Sequence, residues 1–202
     1  WEFEVYGEEE ETVPVSDEIG ITGYQMTATL NNVEGNMGFR VVYQAEPLVD
    51  GHEITEIGLV YGLVYGSQPI SKSDVIYGSD NSYVKDYAAT SKGKIDKVMG
   101  DSVTADYYVR TMDIGYGFEN SYPDVSLYTS KFYVRVYAKL SDESIVYSDV
   151  DSYTIFNVAN ILYQKQLINN KSTYDHLYTK ILKYVDHDYK EEEFNWKNIL
   201  AK

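Results

Sequence analysis

The chain has 202 residues, a net charge of −15, 44% hydrophobic residues and no cysteine. The length suits one large domain or a domain with an appendage, and the apolar share is enough for a core. The acidic balance argues against nucleic acid and anionic membranes, whose binders need Lys and Arg, the missing thiols exclude disulfides and thiolate metal sites, and no apolar run approaches the about 18 residues that span a bilayer.

Residues 1–18 carry Glu8-Glu9-Glu10-Glu11 and Pro14. A like-charge run repels itself, so this stretch reads as an acidic linker or arm. Trp1 is not a natural start, so the sequence reads as an excised part of a longer chain. A first strand is expected over Ile19–Leu30, a turn at Asn31–Asn36, and a second strand over Met37–Ala45 with Phe39, Val41, Tyr43 and Ala45 on one face. Ile54–Tyr65 reads as a third strand, in which Gly58 and Gly62 suggest bulges or the close approach of another segment. Between Gly66 and Val103 the pattern is irregular, with short strands expected near Asp74–Tyr77 and Tyr83–Thr90. Thr104–Met112 reads as a strand and Asp113–Tyr128 as a long loop with Tyr116, Phe118 and Tyr122.

From Phe132 to Leu140 the chain alternates strictly: Phe132, Val134, Val136, Ala138 and Leu140 on one side, Tyr133, Arg135, Tyr137 and Lys139 on the other. After the turn Ser141–Ser144 a return strand is expected over Ile145–Ile155, closing a hairpin. Then the apolar period becomes helical: a first helix over Val158–Gln166, a second opened by a Ser172-x-x-Asp175 capping box, and a short third over Glu191–Leu200. Tyr174, Leu177, Tyr178, Ile181, Leu182 and Val185 make an apolar stripe on the second. Such short helices need tertiary packing. The Tyr133/Arg135/Tyr137 face is one candidate surface for them. The whole pattern, many short strands with turns and no βαβ rhythm, predicts a mainly β chain: an immunoglobulin- or fibronectin-III-like antiparallel β-sandwich over 19–156, with a helical cluster over 157–202 packed on it as one unit.

No nucleophile elbow, phosphate loop or dense metal-ligand motif is present, so no enzymatic role and no cofactor are expected. Asp149-Val-Asp151 offers two oxygens to calcium without the loop that usually completes such a site. Tyrosine is the unusual feature, with 22 residues, about one in nine. A tyrosine ring suits a strand, and equally a half-wet binding surface. Sugars need such rings to stack on, with Asp, Asn or His to bridge their hydroxyls. Several places offer that mix: the turn Gly78–Tyr83, with Asp80, Asn81 and Tyr83; the long loop, with Tyr116, Phe118 and Tyr122; and the helices, with Tyr163, Tyr174, His176, Tyr178, Tyr184, Tyr189 and Trp196. Each ring can equally be buried between sheet and helices. Trp196 lies near the end of the sequence, where a core role is less needed.

The segments GSDNSYV (78–84), FYVRVYAKLSDESIVYSDVDSYTIFNVANILYQ (132–164), YDHLYTKIL (174–182) and YKEEEFNW (189–196) resemble a module of large surface and secreted proteins of anaerobic gut bacteria. It is similar to the starch-binding module of amylosome starch adherence system proteins, over about 180 residues from Ile19 onward. The resemblance implies a non-catalytic, extracellular module, secreted or at the bacterial cell surface, that binds starch, amylopectin or maltooligosaccharides. It implies possible contacts with other surface-complex proteins through the parent chain. The expected site is a cleft where helices meet the sandwich. The alternative is a structural or adhesive spacer.

Overall fold

The structure, a computed structural model, describes residues 13–30, 33–64, 70–89, 91–95, 99–100, 103–113, 124–168 and 170–192. In chain order the strands are β1 (Ile19–Leu30), β2 (Val33–Ala45), β3 (Leu48–Val49), β4 (His52–Leu63), β5 (Val84–Ala88) and β6 (Ser91–Ile95). They continue as β7 (Met99–Gly100), β8 (Val103–Asp113), β9 (Lys131–Leu140), β10 (Ile145–Tyr147) and β11 (Asp151–Thr154). One sheet has the order β6-β8-β2-β1-β7. The other has the order β10-β9-β4-β3, with β5 added on β4 and β11 on β9. Among the described residues all the strand pairs are antiparallel.

The sheets meet face to face because each turns an apolar side inward. Phe39 of β2 lies edge-on to Phe132 of β9 at 5.1 Å, and Tyr24 of β1 lies edge-on to both Phe132 and Tyr153. Phe132, Val134, Val136, Ala138 and Leu140 all enter this core, as the alternation predicts. The other side of β9 is covered too. Ile70, Val75 and Val84 lie over Val60, Tyr137 and Tyr147 in a second apolar cluster, and Arg135 is only 4% exposed. Its guanidinium Nε donates to the Ser148 carbonyl at 3.0 Å and the group sits 4.9 Å from the Tyr147 ring centre. So β9 is an interior strand, and the Tyr133/Arg135/Tyr137 face receives the 70–84 segment rather than the helices. The sequence expectation is corrected there: a Tyr, an Arg stem and a Lys stem bury as readily as aliphatics when their polar tips reach partners.

Other departures have local causes. Residues 70–83 form turns, not a strand near Asp74–Tyr77. The loop expected to Tyr128 contains a short helix, α1 (Val125–Thr129), capped by Asp124, whose Oδ1 accepts from Ser126 N–H at 2.9 Å. The return strand is split at Ser148–Val150. There the Ser148 hydroxyl oxygen accepts from Val136 N–H at 3.0 Å, so a side chain replaces a ladder bond. β2 begins at Val33, which leaves only residues 31–32 between it and β1.

Helix α2 (Ile155–Gln164) starts where Thr154 Oγ1 accepts from Asn157 N–H at 3.0 Å, three residues before the expected Val158. α3 (Lys171–His176) is capped by Asn170, not Ser172: Asn170 Oδ1 accepts from Thr173 N–H at 2.8 Å, and Asp175 pairs with Lys171 instead. The helix continues through a π-helical segment (Leu177–Leu182) into α4 (Lys183–Val185). Asp186–Asp188 follow as a turn. The expected third helix has Glu191 and Glu192 in irregular structure, and its remainder lies outside the described residues. Val158, Ala159, Leu162, Leu177, Ile181 and Leu182 join the inter-sheet core. α2 touches β1, β7 and β11, and α3 touches β1. The helices therefore close one end of the two sheets. The described end of the acidic arm is tied down as well: Val15 forms a parallel bridge with Tyr147.

Candidate functional site

The helical residues singled out in the sequence form an internal tyrosine cluster. Tyr163 is fully buried and Tyr174 nearly so. Their rings stack at 4.5 Å between centres, Tyr178 stacks with Tyr163 at 5.8 Å, and Tyr189 meets Tyr163 edge-on at 5.9 Å. The hydroxyls are engaged. That of Tyr174 is bonded to the Tyr163 hydroxyl and to the Glu192 carbonyl, and Tyr163 accepts from Glu192 N–H at 3.2 Å. Tyr189 donates to Asn160 Oδ1 and accepts from Gln164 Nε2. Burial raises the Tyr163 and Tyr174 hydroxyl pKa values, so both stay neutral. Neither ring presents a face to solvent, which removes both from the set that can stack on a sugar. Their work is to hold residues 189–192 against α2. Tyr178 is half-buried on the same cluster. Trp196 lies outside the described residues.

His176 is half-buried at the end of α3. Burial, then repulsion from Lys180, lowers its pKa below the usual 6.5. A lowered folded-state value means that the unfolded chain takes up the proton first as pH falls. Stability from the neutral ring is therefore full above pH 6.5 and lost below it, down through the folded-state value. Urea midpoints measured on either side of that pH should fall more for the wild type than for His176→Gln. Parallel loss in both proteins would show that His176 does not set this dependence.

The turn residues occupy a different setting. Ile70–Tyr83 is fixed to the outer side of the second sheet. Tyr77 N–H donates to Tyr147 Oη at 3.1 Å, and Lys139 Nζ donates to Tyr77 Oη at 2.7 Å. Lys139 also pairs with Glu56 at 2.8 Å, and Tyr137 Oη donates to the same carboxylate at 2.9 Å. Ser71 donates its N–H and its hydroxyl to Asp74, holding that carboxyl below its usual pKa. Gly78 takes a left-handed φ of 69°, and Asn81 Oδ1 accepts from Tyr83 N–H at 3.1 Å. A turn so bonded delivers Tyr83 to the edge of the sheet with little freedom. Tyr83 is 47% exposed, Asp80 is exposed and Asn81 half-buried.

Sequence reasoning missed the neighbour that completes this edge. Tyr87 on β5 is 36% exposed and stacks on Tyr61 of β4 at 5.8 Å, with planes 20° apart. Tyr83 and Tyr87 are the exposed rings among the described aromatic side chains. The signal was present as Tyr83-x-Lys85-x-Tyr87, a period-two pattern entering β5. The turn thus carries Asp80, Asn81 and Tyr83 into the start of β5, on which Tyr87 follows, while Tyr163, Tyr174, His176 and Tyr178 sit in the helical segments. The expected sheet–helix cleft is present as a space of 90 Å³ between Gln25, Met26, Thr27, Arg40, Leu167, Asn170 and Thr173. Small-molecule sites run from about 300 Å³ upward, so this space by itself is too small for an oligosaccharide.

The arrangement at β5 suits stacking and hydrogen bonding. Among the described residues no three His, Cys, Asp or Glu side chains cluster to hold a metal ion, and Asp151 is engaged by the Tyr24 hydroxyl at 2.9 Å. No helix among the described residues is long and apolar enough to cross a membrane. Compared with protein families, curated proteins and solved structures, the chain matches none.

Proposed function

We propose that the protein is a non-catalytic extracellular module that binds α-1,4-glucan: starch, amylopectin or maltooligosaccharide. The observation that carries this reading is the β5 edge, where Tyr83 at the end of a hydrogen-bonded turn and Tyr87 on the strand are both exposed. Rings on a rigid edge offer flat apolar faces to sugar C–H groups at low entropic cost. The starch-binding resemblance of 78–84 and of the later segments supports the same reading. We place the fold in the immunoglobulin/fibronectin-III-like class. The order β6-β8-β2-β1 opposite β10-β9-β4-β5 runs as D-E-B-A opposite G-F-C-C′, which supports that placement.

Affinity electrophoresis through gels containing amylopectin, pullulan or glycogen tests the reading. Wild-type migration should be retarded, and Tyr83→Ala/Tyr87→Ala should weaken binding by about tenfold. Unretarded wild type in all three polymers would remove the glucan reading. Full retardation of the double variant would move the site off β5. The alternative is a spacer or adhesive module. That reading expects no retardation at all.

A further inference from the structure

We propose that a trough at the end of the sheets opposite the helices docks an extended peptide segment of a partner protein, with Lys or Arg alternating with apolar residues. The place follows from register. Leu63 pairs with Phe132 and Thr154 with Lys131 at the helix end, whereas Ile54 pairs with Leu140 at the other. At that other end the sheets separate around a cavity of 1230 Å³. Ile21, Ala45, Ile54 and Tyr108 give it an apolar floor. Asp17, Glu18, Glu46 and Glu53 give it an acidic rim, and among the described residues no Lys, Arg or His lines it.

A second cavity of 300 Å³ shares Asp17, Ile19, Gly20 and Ile21 with the first and continues to Ser148–Asp151. The two make one trough along the start of β1. That edge is open. On the side away from β2, β1 pairs among the described residues only with β7, at Gly23 and Tyr24. Ile19–Thr22, which line the trough, have no strand partner on that side among the described residues, the arrangement that accepts an added strand. Two exposed aliphatic side chains border it: Leu48 in the larger space and Val15 in the smaller. Exposed apolar residues beside a strand edge with no partner among the described residues mark a surface suited to being covered.

Charge selects the occupant. Four rim carboxylates on a chain of net charge −15 repel an acidic segment and a second copy of this chain alike. A strand of alternating pattern would turn its apolar side chains to the floor, its cations to the rim, and its backbone to Ile19–Thr22. This inference is independent of the glucan site, which lies on β5.

Fluorescence anisotropy with the full chain and a labelled peptide of roughly eight residues, Lys alternating with Val, tests it. Binding should be seen at about 50 mM salt and weaken strongly at about 500 mM. Glu46→Gln/Glu53→Gln, at two exposed positions, should weaken it by about fivefold or more. Alternate N-methylation of the peptide should abolish it, while Tyr83→Ala/Tyr87→Ala should leave it unchanged. Absence of binding at low salt, equal affinity for a Ser–Val peptide, or full affinity in the glutamine variant would each overturn the proposal. So would binding that survives N-methylation.

Discussion

Gly58→Ala should cost about 3 kcal/mol of stability, the upper end of the range for overpacking a core, and lower Tm by about 9 °C for a chain of this size. Gly58 sits in β4 between Ala88 of β5 and Tyr137 of β9. A methyl group there would lie 2.6 Å from Tyr137 Cε1 and closer still to the Tyr87 carbonyl oxygen. Carbon atoms at rest lie about 3.5–4.0 Å apart. The carbonyl cannot retreat without breaking the β4–β5 ladder. The Tyr137 ring is held by its bond to Glu56 and by Tyr77 at 4.7 Å. Gly20→Ala is the control, since nothing lies within 4 Å of its added methyl, and it should stay within about 0.5 kcal/mol of wild type. Thermal melts of both variants decide the matter, and equal Tm values would show that β5 moves aside freely. Because Tyr87 rides on β5, Gly58→Ala should also weaken glucan retardation.

Tyr163→Ala is the second large effect, expected at about 4 kcal/mol because an aromatic ring leaves a fully enclosed site. Its ring is the hub between Tyr174, Tyr178 and Tyr189. Tyr163→Phe separates hydroxyl from ring. It should cost about 1–2 kcal/mol, because the Glu192 N–H and the Tyr174 hydroxyl lose a buried partner. Amide exchange at Glu192 should quicken in both variants. If the alanine variant melts with the wild type and loses glucan binding instead, the cluster is a ligand site and not a clamp.

These two positions show what was legible in the sequence. A glycine in an apolar strand announces close approach, and Gly58 and Gly62 both meet other side chains or backbone at short range. The strict alternation of Phe132–Leu140 placed a central strand correctly, and Ile19–Leu30 emerged with its expected bounds. Caps were harder to read. Thr154 and Asn170 serve where Ser172 had the better local motif, because a cap is decided by where packing starts the helix. α1 has five residues, too few for a period to show. The tyrosines were the least legible, since a ring with a polar tip satisfies a wet edge and a hydrogen-bonded interior equally well. Tyr83 and Tyr163 look alike in sequence. Only the fold tells that one meets solvent and the other meets Glu192.

The parallel contact of residues 14–16 with β10 has a mechanical meaning. Ser16 N–H donates to the Tyr147 carbonyl at 2.8 Å, and Tyr147 N–H donates to the Pro14 carbonyl at 2.9 Å. The chain direction there is that of β10, which leads through β11 into α2. Tension applied at the two flanks of the described residues therefore acts along the strand axis, in opposite directions on neighbouring strands. Those bonds, and the ladders of β10 and β11 on β9, must then slide together rather than break singly in sequence. Bonds loaded together along the strand axis resist more than the same bonds peeled one at a time.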